Sequence, residues 1–301
     1  QPVFGIAQPF VYPFPSIAPM WLALALGGTS GILVGWCSMI ALLNVLAIGF
    51  LTSWGRGGKL SFYSAWVWVC YLLLLGPVGI ARIDAVAAAL AVIGIVLFAR
   101  GKIFGAMVLF TAGAWVKIWP FALAFAAFIS SKSKKILAYG ATLVVSLVLL
   151  FAFFTGGNSN VFSFIFTQSG RGIQVESTIA TFWLWAAKLG LGNSGIYYDK
   201  EIITNQVYGD FVELVSALMT PIMFGALAIT IWLGFKAFKA NANQNQLFTA
   251  VAMTGVLDLI VFNKVGSPQF MCWIVVPLIA WVYFGLSTSN WLLAALDRKS
   301  V

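Results

Sequence analysis

The sequence contains no histidine among its 301 residues. Ser-His-Asp triads, imidazole general bases and histidine metal sites are therefore excluded. Acidic residues are few, eight Asp and Glu against seventeen Lys and Arg, and none falls into a cluster with metal-ligand spacing. Cysteine occurs three times, at Cys37, Cys70 and Cys272. Each sits in an apolar run without CxxC spacing, the pattern of buried inert thiols rather than a redox or zinc site. Charge of either sign makes up 8% of the chain, against about 25% in soluble domains. No glycine-rich nucleotide loop follows a strand pattern, so a soluble nucleotide-sugar site is not expected.

What fills the chain instead is hydrocarbon. Hydrophobic residues account for 61% of it and the mean hydropathy is +0.99. Apolar runs of about 20 residues read as spanning helices, and the expectation is a single integral membrane domain over 1–301. Residues 1–16 are rich in proline and aromatics and read as an interfacial loop. A half-helix is predicted over 17–27, stopped at Gly27-Gly28, with spanning helices over 31–52 and 136–154 and helices near 61–79 and 83–99. The run 103–129 is interrupted by Lys117 and Pro120, which predicts two short helices meeting at Lys117. Residues 155–209 form the longest polar stretch and include Gly156-Gly157-Asn158; within it 178–189 reads as a short interfacial or re-entrant helix. Helices near 211–235, 246–262 and 269–286 complete the pattern, before a short tail at 290–296.

The net charge of +9 suggests nucleic acid until the charges are sorted by loop. One alternate set holds Arg56, Lys59, Arg100, Lys102, Lys132, Lys134, Lys135, Lys236, Lys239, Arg298 and Lys299 against Asp297 alone. The other holds six cations against six carboxylates, and Asp258 lies within a helix. By the positive-inside rule the first set is cytoplasmic. The expected partners are membrane lipids and not nucleic acid, and the second, extracytoplasmic set becomes the working face.

That face carries four clusters: Arg82 with Asp84; Lys117 in Lys117-Ile118-Trp119-Pro120; Arg171-Gly172-Ile173-Gln174-Val175-Glu176-Ser177; and Asn263 to Gln269, with Asp258 about 1.5 turns earlier. Each has an ordinary reading. Arg82/Asp84 suits a helix-end ion pair, Lys117 a snorkelling lysine, Ser177 a helix cap and Lys264 a turn marker. Yet an ionisable residue in an apolar run costs roughly 2.5–3.5 kcal/mol and usually faces a cavity or partner. Arg82, Lys117, Arg171 and Lys264 also lie on the side the charge rule disfavours. Several cations at a bilayer surface suit a phosphate, which Arg binds in bidentate fashion. Asp84, Glu176 and Asp258 supply a base or neutralise those cations. Trp115, Trp119, Trp183 and Trp185 suit sugar stacking, an isoprenoid groove or an interfacial belt.

At these residues the chain resembles glycosyltransferase family 87, the polyprenyl-phosphate-mannose-dependent α-mannosyltransferases of the GT-C superfamily, in its actinobacterial form. Phe10-Val11-Tyr12-Pro13 with Pro15 is similar to that family's Phe/Tyr-Pro-Pro segment, although Phe14 separates the prolines. Arg82-Ile83-Asp84 with Lys117-Ile118-Trp119-Pro120 resembles its Arg-x-Asp and Lys-x-Trp-Pro pair. Arg171 to Ser177 resembles its Arg-Gly-x-Gln-x-Glu-Ser loop, and Lys264-Val265-Gly266-Ser267-Pro268-Gln269-Phe270 its Lys-Val-x-Ser-Pro-Gln-Tyr turn. The resemblance implies an inverting hexosyltransferase in the plasma membrane, with a polyprenyl-phosphate sugar donor, a glycolipid or glycan acceptor, and no nucleotide at the site; no cofactor is expected. Lys117, Arg171, Lys264 and Arg82 would bind the donor phosphate. Tyr12, Gln174, Glu176, Ser177, Asp258, Ser267 and Gln269 would contact sugar or acceptor. GT-C enzymes generally place the catalytic Asp in a first outer loop. No acidic residue precedes Asp84, so the usual base is expected upstream of Gln1, and Asp84 stands as its substitute.

The fold expectation is thus all-α: a polytopic transmembrane, GT-C-like bundle of about ten helical segments in which short or half helices line an extracytoplasmic cavity. The first helix and first outer loop are expected upstream. The alternative is a lipid-linked saccharide transporter or solute permease without covalent chemistry. No inverted repeat of the kind transporters carry is visible, and the charges gather on one face rather than at the midplane.

Overall fold

The structure, a computed structural model, describes residues 6–157, 160–169 and 171–286. Asn158 and the tail at 290–296 with Asp297, Arg298 and Lys299 lie outside the described residues.

A 3-10 turn over Phe14–Ser16 leads into α1 (Ile17–Gly27), as the half-helix reading expected. α2 (Ile32–Leu51) returns antiparallel against it, α3 (Lys59–Leu75) follows, and a separate turn, α4 (Pro77–Ile80), precedes α5 (Asp84–Ala99). The single helix expected over 61–79 is therefore divided. Gly76 takes φ +52 and Pro77 opens the next turn, where its missing N–H costs nothing. α6 (Ile103–Val116) and α7 (Phe121–Ser130) meet at Lys117, and α8 (Lys134–Thr155) ends on left-handed Gly156. After α9 (Ser163–Ser169) and α10 (Thr181–Leu189), the chain closes with α11 (Val212–Lys239), α12 (Gln244–Val261) and α13 (Met271–Tyr283).

The fold is mostly helical, as expected, and a short hairpin between α10 and α11 departs from the all-α reading. Gly195–Asp199 (β1) and Thr204–Tyr208 (β2) form an antiparallel hairpin, with Gly195 opposite Tyr208 and Asp199 opposite Thr204. The stretch was too polar to suggest a strand, but Ile196, Tyr197 and Tyr198 are strand formers. Asp199 sets the turn, since its Oδ1 accepts the backbone N–H of Glu201 at 2.9 Å and of Ile202 at 3.3 Å.

α5 is the central post. Thirteen of its sixteen residues are buried, and it packs against α2, α6 and α13. α12 sits between α7, α11 and α13, while α8 covers α6. Alanine and glycine permit the close approach. A Cβ on Gly94 of α5 would stand 2.6 Å from the ring of Phe110 on α6. α2, α8 and α11 are long and apolar enough to cross a membrane, and only 17% of the most apolar window of α11 is buried inside the protein.

The basic turns gather at one end. Arg100 donates to the Phe50 carbonyl at 2.7 Å and to Ser53 Oγ at 2.9 Å, tying the α5–α6 turn to the α2–α3 turn. Lys134 lies 4.3 Å from the ring centre of Phe238, tying the α7–α8 turn to the end of α11. From this basic end α5, α6, α7 and α13, with 16, 14, 10 and 13 residues, rise about 24, 21, 15 and 20 Å at 1.5 Å per residue. α11, with 28 residues, extends about 42 Å. The short helices therefore stop inside a wall of longer ones.

Gly94→Val should lower unfolding stability by about 1–3 kcal/mol through overpacking of α5 on α6. Thermal or denaturant unfolding in detergent would show this, and an unchanged midpoint would mean that α6 is free to move.

Candidate functional site

The tops of the short helices hold a buried ion pair. Lys117 is the residue at which α6 ends; its backbone is extended, with φ −149 and ψ 131. Ile118-Trp119-Pro120 then turns the chain into α7. Lys117 Nζ lies 3.4 Å from Asp84 Oδ2, and the two side chains are 11% and 2% exposed. Asp84 opens α5, where a carboxylate is favoured by the helix dipole. Its Oδ1 accepts the indole N–H of Trp273 at 2.7 Å. Lys117 Nζ also stands 4.4 Å from the ring centre of Tyr12, a cation–π distance.

Aromatic rings close the site. Trp119 stacks on Trp273 with centroids 6.0 Å apart, and Phe270 stacks on Trp273 at 3.9 Å. The buried indole N–H of Trp119 has no hydrogen-bond acceptor among the described residues. Beside the break, an almost wholly apolar groove of about 410 Å³ runs between α6, α7 and α8, with Trp115, Ile118, Phe121 and Val145 in its walls.

A second group forms around Arg171–Ser177. Gln174 donates its backbone N–H to the Lys264 carbonyl at 3.0 Å, so two motifs ninety residues apart meet directly. Ile173–Val175 adds to the exposed edge of β2: Val207 N–H donates to the Ile173 carbonyl at 3.0 Å, and Val175 N–H to that of Asn205 at 3.2 Å. Gln206 fills the space beside Gly172 and donates to Asp199 Oδ2 at 2.7 Å. Ser216 of α11 donates to the Arg171 carbonyl and accepts from Lys264 Nζ, each at 3.3 Å. Burial pushes the Lys264 ammonium below its ordinary value of 10.5, because desolvation penalises the charged form. Gly266 lies so close to the backbone of Glu176 and Ser177 that no Cβ fits.

The turn at 264–270 joins the two groups, with Lys264 at the second and Phe270 at the first. The expected residues divide accordingly. Asp84, Lys117 and Tyr12 meet in the first group; Arg171, Gln174, Ser177 and Lys264 meet in the second. Gln269 is buried on the joining turn and Ser267 is half-buried there. Ser177 donates its hydroxyl to the Gln174 carbonyl at 2.7 Å and makes no side-chain cap. Arg82 and Glu176 are exposed. Asp258 is elsewhere, accepting from Thr230 at 2.6 Å across α11 and α12. Sequence reading missed Trp273, Ser216 and Gln206. Trp273 is one of thirteen tryptophans, and nothing local marks it.

The chain matches no protein-family model, no curated protein and no solved structure.

Removing one partner of a buried pair strands the other charge at about 3–5 kcal/mol, whereas replacing both is often neutral. Asp84→Asn and Lys117→Met should each destabilise the protein, and the double variant should recover most of the loss. A double-mutant cycle on unfolding in detergent measures this; additive losses would show that the two groups do not interact.

Proposed function

We propose that the chain is a multi-pass membrane glycosyltransferase. It moves a hexose, mannose on the family resemblance, from a polyprenyl-phosphate donor to a glycolipid or glycan acceptor. The basic turns are cytoplasmic under the positive-inside rule, which puts the site on the extracytoplasmic side of the plasma membrane. One observation carries the reading: the buried Lys117–Asp84 pair stands beside an apolar groove whose walls include Trp115 and Ile118, on either side of Lys117 in the chain. A polyprenyl phosphate has those two chemistries, a phosphate head and a hydrocarbon tail. Asp84 tops a helix rising about 24 Å from the basic end, within a hydrocarbon core of about 30 Å. A lipid-borne phosphate reaches that depth without leaving the bilayer.

In the transfer, the acceptor hydroxyl oxygen attacks the anomeric carbon with inversion. The bond from that carbon to the phosphate oxygen breaks, and the phosphate leaves with the electron pair. Negative charge grows on the leaving group, where preorganised cations lower the barrier most. Lys117, Lys264 and Arg171 are assigned that task. The Trp119 N–H is a donor for an oxygen of the head group or sugar. The acceptor proton passes to a carboxylate, general-base help typically being worth 10²–10⁴-fold. Asp84 is the carboxylate at hand, and a turn of Lys117 Nζ from Oδ2 to the donor phosphate would raise its basicity, so donor binding and activation of the base would be coupled.

Native mass spectrometry of the full chain with polyprenyl-phosphate mannose, beside a nucleotide-sugar control, tests the reading. Selective binding of the lipid donor is expected, weakened at least tenfold in the Asp84→Asn/Lys117→Met double variant. Binding no tighter than that of an ordinary phospholipid would overturn it. Because Lys264 loses its proton below the usual lysine range, the donor affinity that depends on it should fall as pH rises, starting below 10.5. In Lys264→Arg the fall should move to higher pH, since a guanidinium stays charged. The same onset in both proteins would remove Lys264 from the site.

A further inference from the structure

A second cavity, this one polar, lies at the opposite end of the bundle. About 570 Å³ in volume, it opens between the α7–α8 turn and the α11–α12 turn and is lined by Ser130, Lys132, Phe238, Lys239, Asn241 and Gln244, among others. Lys132 and Lys239 are exposed, and no carboxylate occurs on either turn or on the other described turns of this end. The first backbone donors of α12 are already satisfied, because Asn243 Oδ1 accepts the N–H groups of Asn245 and Gln246. The cavity therefore owes its character to its lysines and amides rather than to a helix terminus.

A third lysine gives the independent observation. Lys134, which lies against the cavity-lining ring of Phe238, is half-buried. Its ammonium donates to the carbonyls of Phe128 at 2.7 Å and Ile129 at 3.3 Å. It lies 5.0, 5.6 and 4.3 Å from the ring centres of Phe128, Phe235 and Phe238. Carbonyls and ring faces solvate the charge without cancelling it. Two lysines thus line the cavity and a third stands against the ring of Phe238 in its wall, with no carboxylate on these turns.

We propose that this cavity binds the phosphate head group of an anionic membrane lipid, with Lys132 and Lys239 on the phosphate and the acyl chains directed toward the outer face of Phe238. Basic pockets between spanning helices on the cytoplasmic side suit such head groups. The site depends on the membrane orientation given above and not on the transferase activity. Its occupant would brace α7 and α8 against α11 and α12 from the end opposite the reaction.

The test uses the full chain in neutral detergent, with dihexanoyl phosphatidylglycerol as probe and dihexanoyl phosphatidylcholine and inorganic phosphate as controls, read by native mass spectrometry and by the thermal midpoint. Phosphatidylglycerol should bind and raise the midpoint. Lys132→Gln/Lys239→Gln should weaken that binding roughly tenfold or more without lowering the midpoint of the lipid-free protein. Arg56→Gln/Lys59→Gln, which removes the same charge from another turn of the same end, should bind as the parent does. Equal losses in both double variants would reduce the effect to diffuse attraction and overturn the site. Equal binding of phosphatidylcholine would remove the role of charge. Competition by inorganic phosphate at equal concentration would assign the cavity to a free anion instead of a lipid.

Discussion

A lysine ammonium buried in hydrocarbon must be solvated by the protein itself, and the upper half of this bundle is arranged around that need. Lys117 meets both Asp84 and Tyr12 from an extended backbone at the end of α6. The break between α6 and α7 supplies the freedom, and Pro120, which has no N–H to donate, makes a break at that place inexpensive. Asp84 answers from the first turn of α5, where the helix dipole favours a carboxylate. Trp273 then fixes the carboxylate through its indole N–H. With α5 as the central post, the position of the pair is set by the most tightly packed element in the molecule.

The turn at 264–270 links the two neighbourhoods. Its beginning receives the Gln174 backbone N–H through the Lys264 carbonyl. Its end places Phe270 on Trp273, one contact from Asp84. Gly266 allows the Arg171–Ser177 loop to lie directly on it. The hairpin holds that loop from the far side by offering the edge of β2 to Ile173–Val175. Nothing chemical need happen at the hairpin for it to matter, since it fixes the backbone on which Arg171 and Gln174 stand. The two ends of the bundle contrast in how they treat charge. One pairs a buried lysine, Lys117, with a carboxylate, and the other leaves Lys132 and Lys239 without one at a cavity rim.

Most helix limits were legible in the sequence because hydropathy and punctuation are local. The half-helix at 17–27, the break at Lys117 and the stop at Gly156 each follow from a run of apolar residues and a glycine, proline or lysine that ends it. The hairpin was not legible, since Tyr197-Tyr198-Asp199-Lys200-Glu201 has the composition of a loop and becomes sheet by pairing with Thr204–Tyr208. The site was legible in part. Tyr12, Asp84 and Lys117 were all marked and do meet. Arg82, two residues from Asp84, points to the limit of that reading: one residue is exposed in a turn, the other buried at the head of a helix.

The sequence alone determined that this chain is built of apolar helices, that its basic turns alternate with turns of balanced charge, and where most helices stop. Each of these properties is a sum over neighbouring residues. Only the tertiary structure decided which charges are paired, which tryptophan holds Asp84, and that Asp258 turns to Thr230. Those outcomes depend on helices of unequal length packing side by side. A difference of a few residues in where each one ends brings Trp273 to Asp84 from 189 positions away and leaves Arg82 outside.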